Sequence, residues 1–160
     1  MELSESETRP SEAAEVQRVA ELLGGVKVLR HRLKNALDVH EALATGLPGA
    51  ALTHLIDNLV SLRDPASIEK AVGISRRTFQ RRKVAPKKPL SQEQSGRTWT
   101  FAEILAKATA VLGSQEEAER WLERPAIGLD QRRPIDLLAT PAGVRILEEL
   151  LGRLDYGVYT

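Results

Sequence analysis

The chain has 160 residues, 42% of them hydrophobic, with 23 Lys/Arg against 22 Asp/Glu for a formal net charge of +1, which is length and apolar content for one ordinary domain or two small ones. It has no cysteine, which excludes disulfides, thiolate metal sites and a cysteine nucleophile. The opening MELSESETRPSEAAE is acidic and polar, and no apolar run approaches the roughly 18 residues that a membrane span needs, so a cytoplasmic protein without membrane contact is expected.

Helical periodicity and helical punctuation run through most of the chain, and period-two alternation is scarce. The expected fold class is therefore all-α, a central helix-turn-helix domain followed by a small C-terminal helical bundle. Ser11 is placed to cap a first helix carrying Val16, Val19, Leu22 and Leu23 on one face, stopped by Gly24 and Gly25. That stripe suits packing on its own chain or on a second copy. The stretch VKVLRHRLKNAL is compatible with helix, or with a short strand at VKVL. Asp38 is the expected cap of DVHEALAT, which Gly46 and Pro48 end. GAALTHLIDNLVSL is then read as helix throughout, with Leu52, Leu55, Ile56, Leu59 and Val60 on one face.

Asp64 and Pro65 open a short helix ending near Val72, and Gly73 and Ser75 bracket a tight turn into a second one. Charge segregates here. Residues 1–64 hold seven Lys/Arg against ten Asp/Glu, residues 65–97 nine against two, and residues 98–160 seven against ten. A local excess of positive charge of that size favours a polyanionic partner. Two helices about a glycine turn are the signature of a helix-turn-helix, whose second helix enters the major groove. In VGISRRTFQRRK, Phe79 marks the inward side, with Ile68, Val72 and Ile74 beneath it, while Arg77 and Arg81 lie opposite and Arg76 and Gln80 on the shoulder. Arg bonds guanine O6 and N7 bidentately, and Gln does the same for adenine N6 and N7. Ser75 heads this helix, and Arg82, Lys83, Lys87 and Lys88 are the candidates for phosphate contacts. One such motif reads half of a typical operator, so a homodimer is expected. Glu69 stands four residues before the turn glycine, where a small residue is usual.

Pro86, Pro89 and the polar LSQEQSGR predict a linker as far as Arg97. Thr100 is then read as the cap of FAEILAKATAVL, and Ser114 with Glu117 as a capping box for EEAERWLER. Pro134 opens PIDLLA, and Thr140-Pro141 opens AGVRILEELLGRLDY, stopped by Gly157. Trp121 and Leu122 are assigned to the core. A glycine inside the last helix, Gly143 or Gly152, costs about 1 kcal/mol against alanine, so close helix packing is the expected reason for one.

From about Leu22 onward the chain resembles the Xre-type antitoxins of RES/Xre toxin-antitoxin modules, its C-terminal half being of the ParS/Xre/MbcA antitoxin type. The residues that carry this are LLGG, ATGLP, VGISRRTFQRR, LSQEQSGR, Trp121-Leu122 in AERWLERP, PIDLLATPAG and GVY, in that order. The resemblance implies an antitoxin that neutralises an NAD-consuming RES-domain toxin by covering its active site. It also implies a helix-turn-helix that binds operator DNA to repress its own operon, within a homodimer and higher hetero-oligomers with the toxin. It places Tyr156, Gly157, Val158, Tyr159 and Thr160 near the toxin pocket, with a tail folded back on its own bundle as the alternative. Arg145 and Arg153, eight apart on the last helix, face either acidic groups of the partner or water. The expected layout is a helical arm suited to dimerisation (1–35), a DNA-binding domain (36–90), a linker (91–97) and a toxin-binding helical domain (98–160).

The histidines His31, His40 and His54 are scattered without HExxH spacing, and there is neither a serine elbow nor a phosphate-cradling glycine loop. No enzyme, metal site or cofactor is expected. The rival reading is a stand-alone helix-turn-helix transcription regulator with a ligand- or protein-binding C-terminal domain, for which a deep apolar pocket within residues 98–160 is the discriminator.

Overall fold

A computed structural model describes residues 11–157, and within them every regular element is helical; the sole extended pairing is an isolated bridge between Pro48 and Pro89. The helices in chain order are α1 (Glu12–Leu22), α2 (Gly25–Leu29), α3 (Ala36–Thr45), α4 (Gly49–Asp57), α5 (Pro65–Val72), α6 (Arg76–Val84), α7 (Gln92–Leu112), α8 (Gln115–Glu123) and α9 (Pro141–Asp155). Two 3₁₀ segments, Ile127–Leu129 and Pro134–Ala139, join the last pair.

Caps explain most of the boundaries. Ser11, Ser75, Ser114 and Thr140 each accept a hydrogen bond from a first-turn N–H through the side-chain oxygen, as their residue type favours. Ser114 lacks the reciprocal half of a capping box, because the Glu117 carboxylate is drawn to Arg120 at 3.1 Å. The VKVL stretch resolves as the short helix α2, ended by Arg30 in left-handed conformation at φ 68°. The cap of α3 is Asn35, not Asp38: Asn35 Oδ1 accepts from Asp38 N–H at 2.9 Å, while Asp38 turns back to accept from Lys34 N–H at 2.8 Å. The predicted long helix from Gly49 stops at Asp57, where Asn58 bonds back to the His54 carbonyl at 2.8 Å. Beyond it Leu59 and Leu62 turn inward and Val60 outward.

The largest departure is at 91–97. This segment is no linker: Ser91 and Gln94 form a reciprocal capping box, and α7 runs unbroken for 21 residues, with Thr100 inside it. Ser91, Gln92 and Glu93 stay exposed, and one polar residue of the segment turns inward. Ser95 is fully buried, and its hydroxyl accepts from Leu47 N–H at 2.8 Å. With Trp99, Phe101, Ala102, Ile104 and Leu105, it makes α7 the axis against which α1, α3, α5, α8, α9 and the second 3₁₀ segment pack.

One continuous core results, from Val19 on α1 to Leu151 on α9. Of the N-terminal segment, the described part packs on its own chain: Leu23 is fully buried and α1 lies on α7. Leu122 is in the core and Trp121 is half-buried against it. Of the two glycines in α9, Gly143 sits where a Cβ would collide with the Leu137 carbonyl oxygen, whereas Gly152 has open space around it. Close packing explains the first and not the second.

Candidate functional site

The α5–turn–α6 unit is built around Gly73, which adopts φ 67° and closes α5 with its N–H on the Glu69 carbonyl. A side chain there is unwelcome twice over, since left-handed backbone disfavours it and its Cβ would lie 2.6 Å from Arg97 Nη1. Arg97 reaches across from α7 to donate to the Lys70 carbonyl at 2.7 Å, satisfying the C-terminal end of α5. Burial pushes the Arg97 pKa down, with Glu93 acting the other way.

Ser75 caps α6, its hydroxyl accepting from Thr78 N–H at 3.2 Å. Phe79 points inward over Leu52, Ile56, Ile68, Val72 and Ile74, as expected, but the fit is loose. A small apolar gap of about 110 Å³ remains there, with the exposed Glu69 on its rim. α6 leans on α4. Arg76, Arg77, Gln80 and Arg81 are all exposed. Arg82, expected to contact phosphate, also has a packing role. It is half-buried, its stem lies 3.3 Å from where a Gly49 Cβ would be, and its Nε is buried without a partner, so this side chain packs α6 onto α4. Lys83 stands 5.6 Å from the Phe79 ring centroid, close enough for a cation–π contact.

The turn after α6 is docked by its backbone. Pro86 and Lys88 carbonyls accept from Ala50 and Gly49 N–H, both at 3.0 Å, and Leu90 N–H donates to Leu47 O at 2.7 Å. These bonds satisfy free donors at the start of α4 and hold the exposed Lys87 and Lys88 beside α6. Among the described residues the ion pairs lie elsewhere, and none engages a cation between Arg76 and Lys88. The positive field of this face is therefore uncompensated at close range.

At the other end of the molecule, α9 buries Leu147, Leu150 and Leu151 and turns Arg145, Ile146, Glu149, Arg153 and Tyr156 outward. Tyr156 is 79% exposed and Ile146 44%, a combination of apolar and charged groups suited to a protein partner. Gly157 follows at φ 75°. Val158, Tyr159 and Thr160 lie outside the described residues. A cleft of about 690 Å³ opens between α1, α3, α7 and α9, floored by Val16, Val19, Val39, Trp99 and Leu151 and rimmed mostly by carboxylates. Among the described residues no group of three or more His, Cys, Asp and Glu is arranged to hold a metal ion.

Two residues escaped the sequence reading. Arg97 left no local signal, because its partner is 27 positions away. Glu119 did leave one: it falls in the stripe Gln115, Ala118, Leu122 that faces the core, and it is fully buried. A charged residue on an apolar face announces a specific partner.

The architecture is that of a helix-turn-helix unit fused to a helical C-terminal region, and comparison with known proteins gives both parts a family. Residues 38–103 match the model of the antitoxin Xre-like helix-turn-helix domain. Residues 107–157 match that of the antitoxin Xre/MbcA/ParS C-terminal toxin-binding domain. Similar proteins include antitoxin Xre of Yersinia enterocolitica, 30% identical over 72% of this chain and 87% of that one. Antitoxin Xre of Pseudomonas putida is 28% identical over 78% and 76%. The chain belongs to the Xre antitoxin family, with a C-terminal toxin-binding domain. The junction between the two matched regions falls inside α7, so a single rigid helix serves both.

Proposed function

We propose that this antitoxin lays the outer face of α6 in the major groove of its own operator and covers the active site of an NAD-consuming RES-domain toxin with the C-terminal end of α9 and the residues after it. The observation that carries the first half is the exposed pair Arg77 and Arg81, opposite Phe79 and without an acidic partner among the described residues, with the exposed Gln80 on the shoulder. Ser75, Arg76, Lys83, Lys87 and Lys88 flank that face and supply phosphate contacts. DNA recognition belongs to residues 36–90 and toxin binding to 98–160. A second copy completes the operator, and toxin joins the pair in a larger assembly. Inhibition of this kind needs no catalytic group in the antitoxin, and repression of an operon places the work in the cytoplasm. For the described residues, no helix is long and apolar enough to cross a membrane.

Two experiments test the two halves. With four to six phosphates engaged, the logarithm of the binding constant falls against log salt with a slope of about −4 to −5. Arg81→Ala lowers that affinity by about 1–3 kcal/mol. Arg82→Ala instead lowers folding stability, since its stem is packed. Salt-independent binding removes DNA from the function. For the toxin, co-expression of a RES toxin with a chain lacking residues 157–160 restores toxicity. Retained protection transfers inhibition to the outward face of α9, where Arg145, Arg153 and Tyr156 lie.

The cleft beside Trp99 is the observation that favours the second reading, a stand-alone regulator answering to a ligand or protein. It is open and shared with α1 and α3 rather than enclosed within residues 98–160. DNA binding that responds to a small molecule in the absence of toxin would support that reading over the antitoxin.

A further inference from the structure

Glu119 is the buried ionisable group that neither half of the proposed function uses. Its side chain is 0% exposed, and it faces the bend between α4 and α5. Four donors converge on it. Val60 N–H lies 2.9 Å from both carboxylate oxygens, Ser61 and Leu62 N–H donate to Oε1 at 2.8 Å, and the Gln115 amide donates to Oε2 at 2.8 Å. The same Gln115 amide reaches the Asn58 carbonyl at 3.1 Å. No cation pairs with Glu119 among the described residues. Charge-assisted bonds from backbone N–H groups are what make its burial tolerable.

Past Asn58 and Leu59, whose N–H groups close α4 on the His54 and Ile56 carbonyls, the N–H groups of the bend turn to Glu119. α4 ends at Asp57 and α5 begins at Pro65, so the angle between them is set by what grips residues 58–62. α6 depends on both, because it leans on α4 and is chained to α5 through the turn at Gly73. The C-terminal region grips α5 as well. The Ser67 hydroxyl is 3.0 Å from Glu123 and 3.2 Å from Asp64, Lys70 is 3.2 Å from Asp136, and the second 3₁₀ segment packs along the helix. α5 is thus held from α8 and the second 3₁₀ segment, within the toxin-binding region, and from α7 through Arg97.

We propose that Glu119 is a positioning residue for DNA binding: by collecting the N–H groups of Val60, Ser61 and Leu62 it fixes the angle between α4 and α5 and thereby presents α6 to the duplex. This rests on the DNA-binding reading above. Glu119→Gln keeps the shape but replaces one acceptor oxygen with an NH₂ group, which then faces a donor.

The test uses the full-length chain and a labelled duplex taken from immediately upstream of its reading frame. Affinity and salt slope are measured for wild type, Glu119→Gln, Gln115→Ala and Arg77→Ala at a temperature where circular dichroism shows each fully folded. Glu119→Gln is expected to weaken binding about tenfold and to flatten the salt slope by about 1–2, as phosphate contacts are lost with α6 misaligned. Amide exchange at residues 60–62 and along α6 accelerates. If Glu119→Gln does not fold, Gln115→Ala takes its place, with a smaller loss of the same kind. A folded variant that binds with wild-type affinity and slope overturns the proposal. So does a loss of binding that merely tracks the unfolded fraction, which a purely structural role produces. Wild-type binding by Arg77→Ala as well would locate the failure in the DNA-binding reading itself.

Discussion

Substituting the turn glycine tests whether Gly73 and Arg97 work as one unit. In Gly73→Ala the backbone remains at φ 67°, which costs an L-residue about 1–2 kcal/mol. The new Cβ also displaces the Arg97 guanidinium, a flexible group end 2.6 Å away, and so breaks its 2.7 Å bond to the Lys70 carbonyl. A charged hydrogen bond contributes about 1.5–3 kcal/mol; partial solvation of this one reduces it to about 1–2. The single variant therefore loses about 2–4 kcal/mol. Arg97→Ala alone loses the bond and keeps the relaxed glycine. In the double variant the bond is already gone, so Gly73→Ala then costs only the backbone strain. Urea unfolding of the four proteins, followed by far-UV circular dichroism, should show the double variant more stable than the sum of singles implies by about 1–2 kcal/mol. Additivity within about 0.3–0.5 kcal/mol would refute the steric link.

Two further outcomes are expected from the C-terminal half. Gly143→Ala drives a methyl into the Leu137 carbonyl and loses about 1–3 kcal/mol or more, while Gly152→Ala, with nothing within 4 Å, gains close to the 0.8–1.0 kcal/mol of helix propensity; thermal midpoints moving in opposite directions check both. The Asp136 carboxyl is held below the usual carboxylate range by its hydrogen bond from Arg133, with Lys70 adding to it and partial burial opposing. A depressed carboxylate stabilises the fold above its unfolded value near 3.8 and loses that contribution as pH falls through the lower folded value. The stability difference between wild type and Asp136→Asn, by denaturant unfolding, should accordingly be full at neutral pH and fade only below about pH 4; a gap unchanged at pH 2.5 would count against the pairing.

Much of this molecule was legible as text. The caps at Ser11, Ser75 and Thr140, the glycine turn at Gly73 and the inward Phe79 all rest on interactions within four residues, which spacing exposes directly. The α6 face came the same way, since Phe79 alone orients the helix and the cations follow by rotation. The cap at Asn35 and the box at Ser91 and Gln94 are equally local, but Asp38 and the prolines Pro86 and Pro89 give competing signals in the sequence.

Other features depend on partners far along the chain. The polar run LSQEQSGR has the composition of a loop and becomes the first turns of α7, because Ser95 finds Leu47 N–H 48 positions back. Arg82 has the composition of a surface cation, and its stem packs against Gly49 33 positions back. Glu119 finds its three backbone donors 57 to 59 positions away. Residue order settles helices, caps and the sign of each face, since those need neighbours alone. Whether a polar or charged side chain meets water, DNA or a buried N–H depends on which distant segment folds against it. Here that choice joined the helix-turn-helix and the C-terminal helical region into one core.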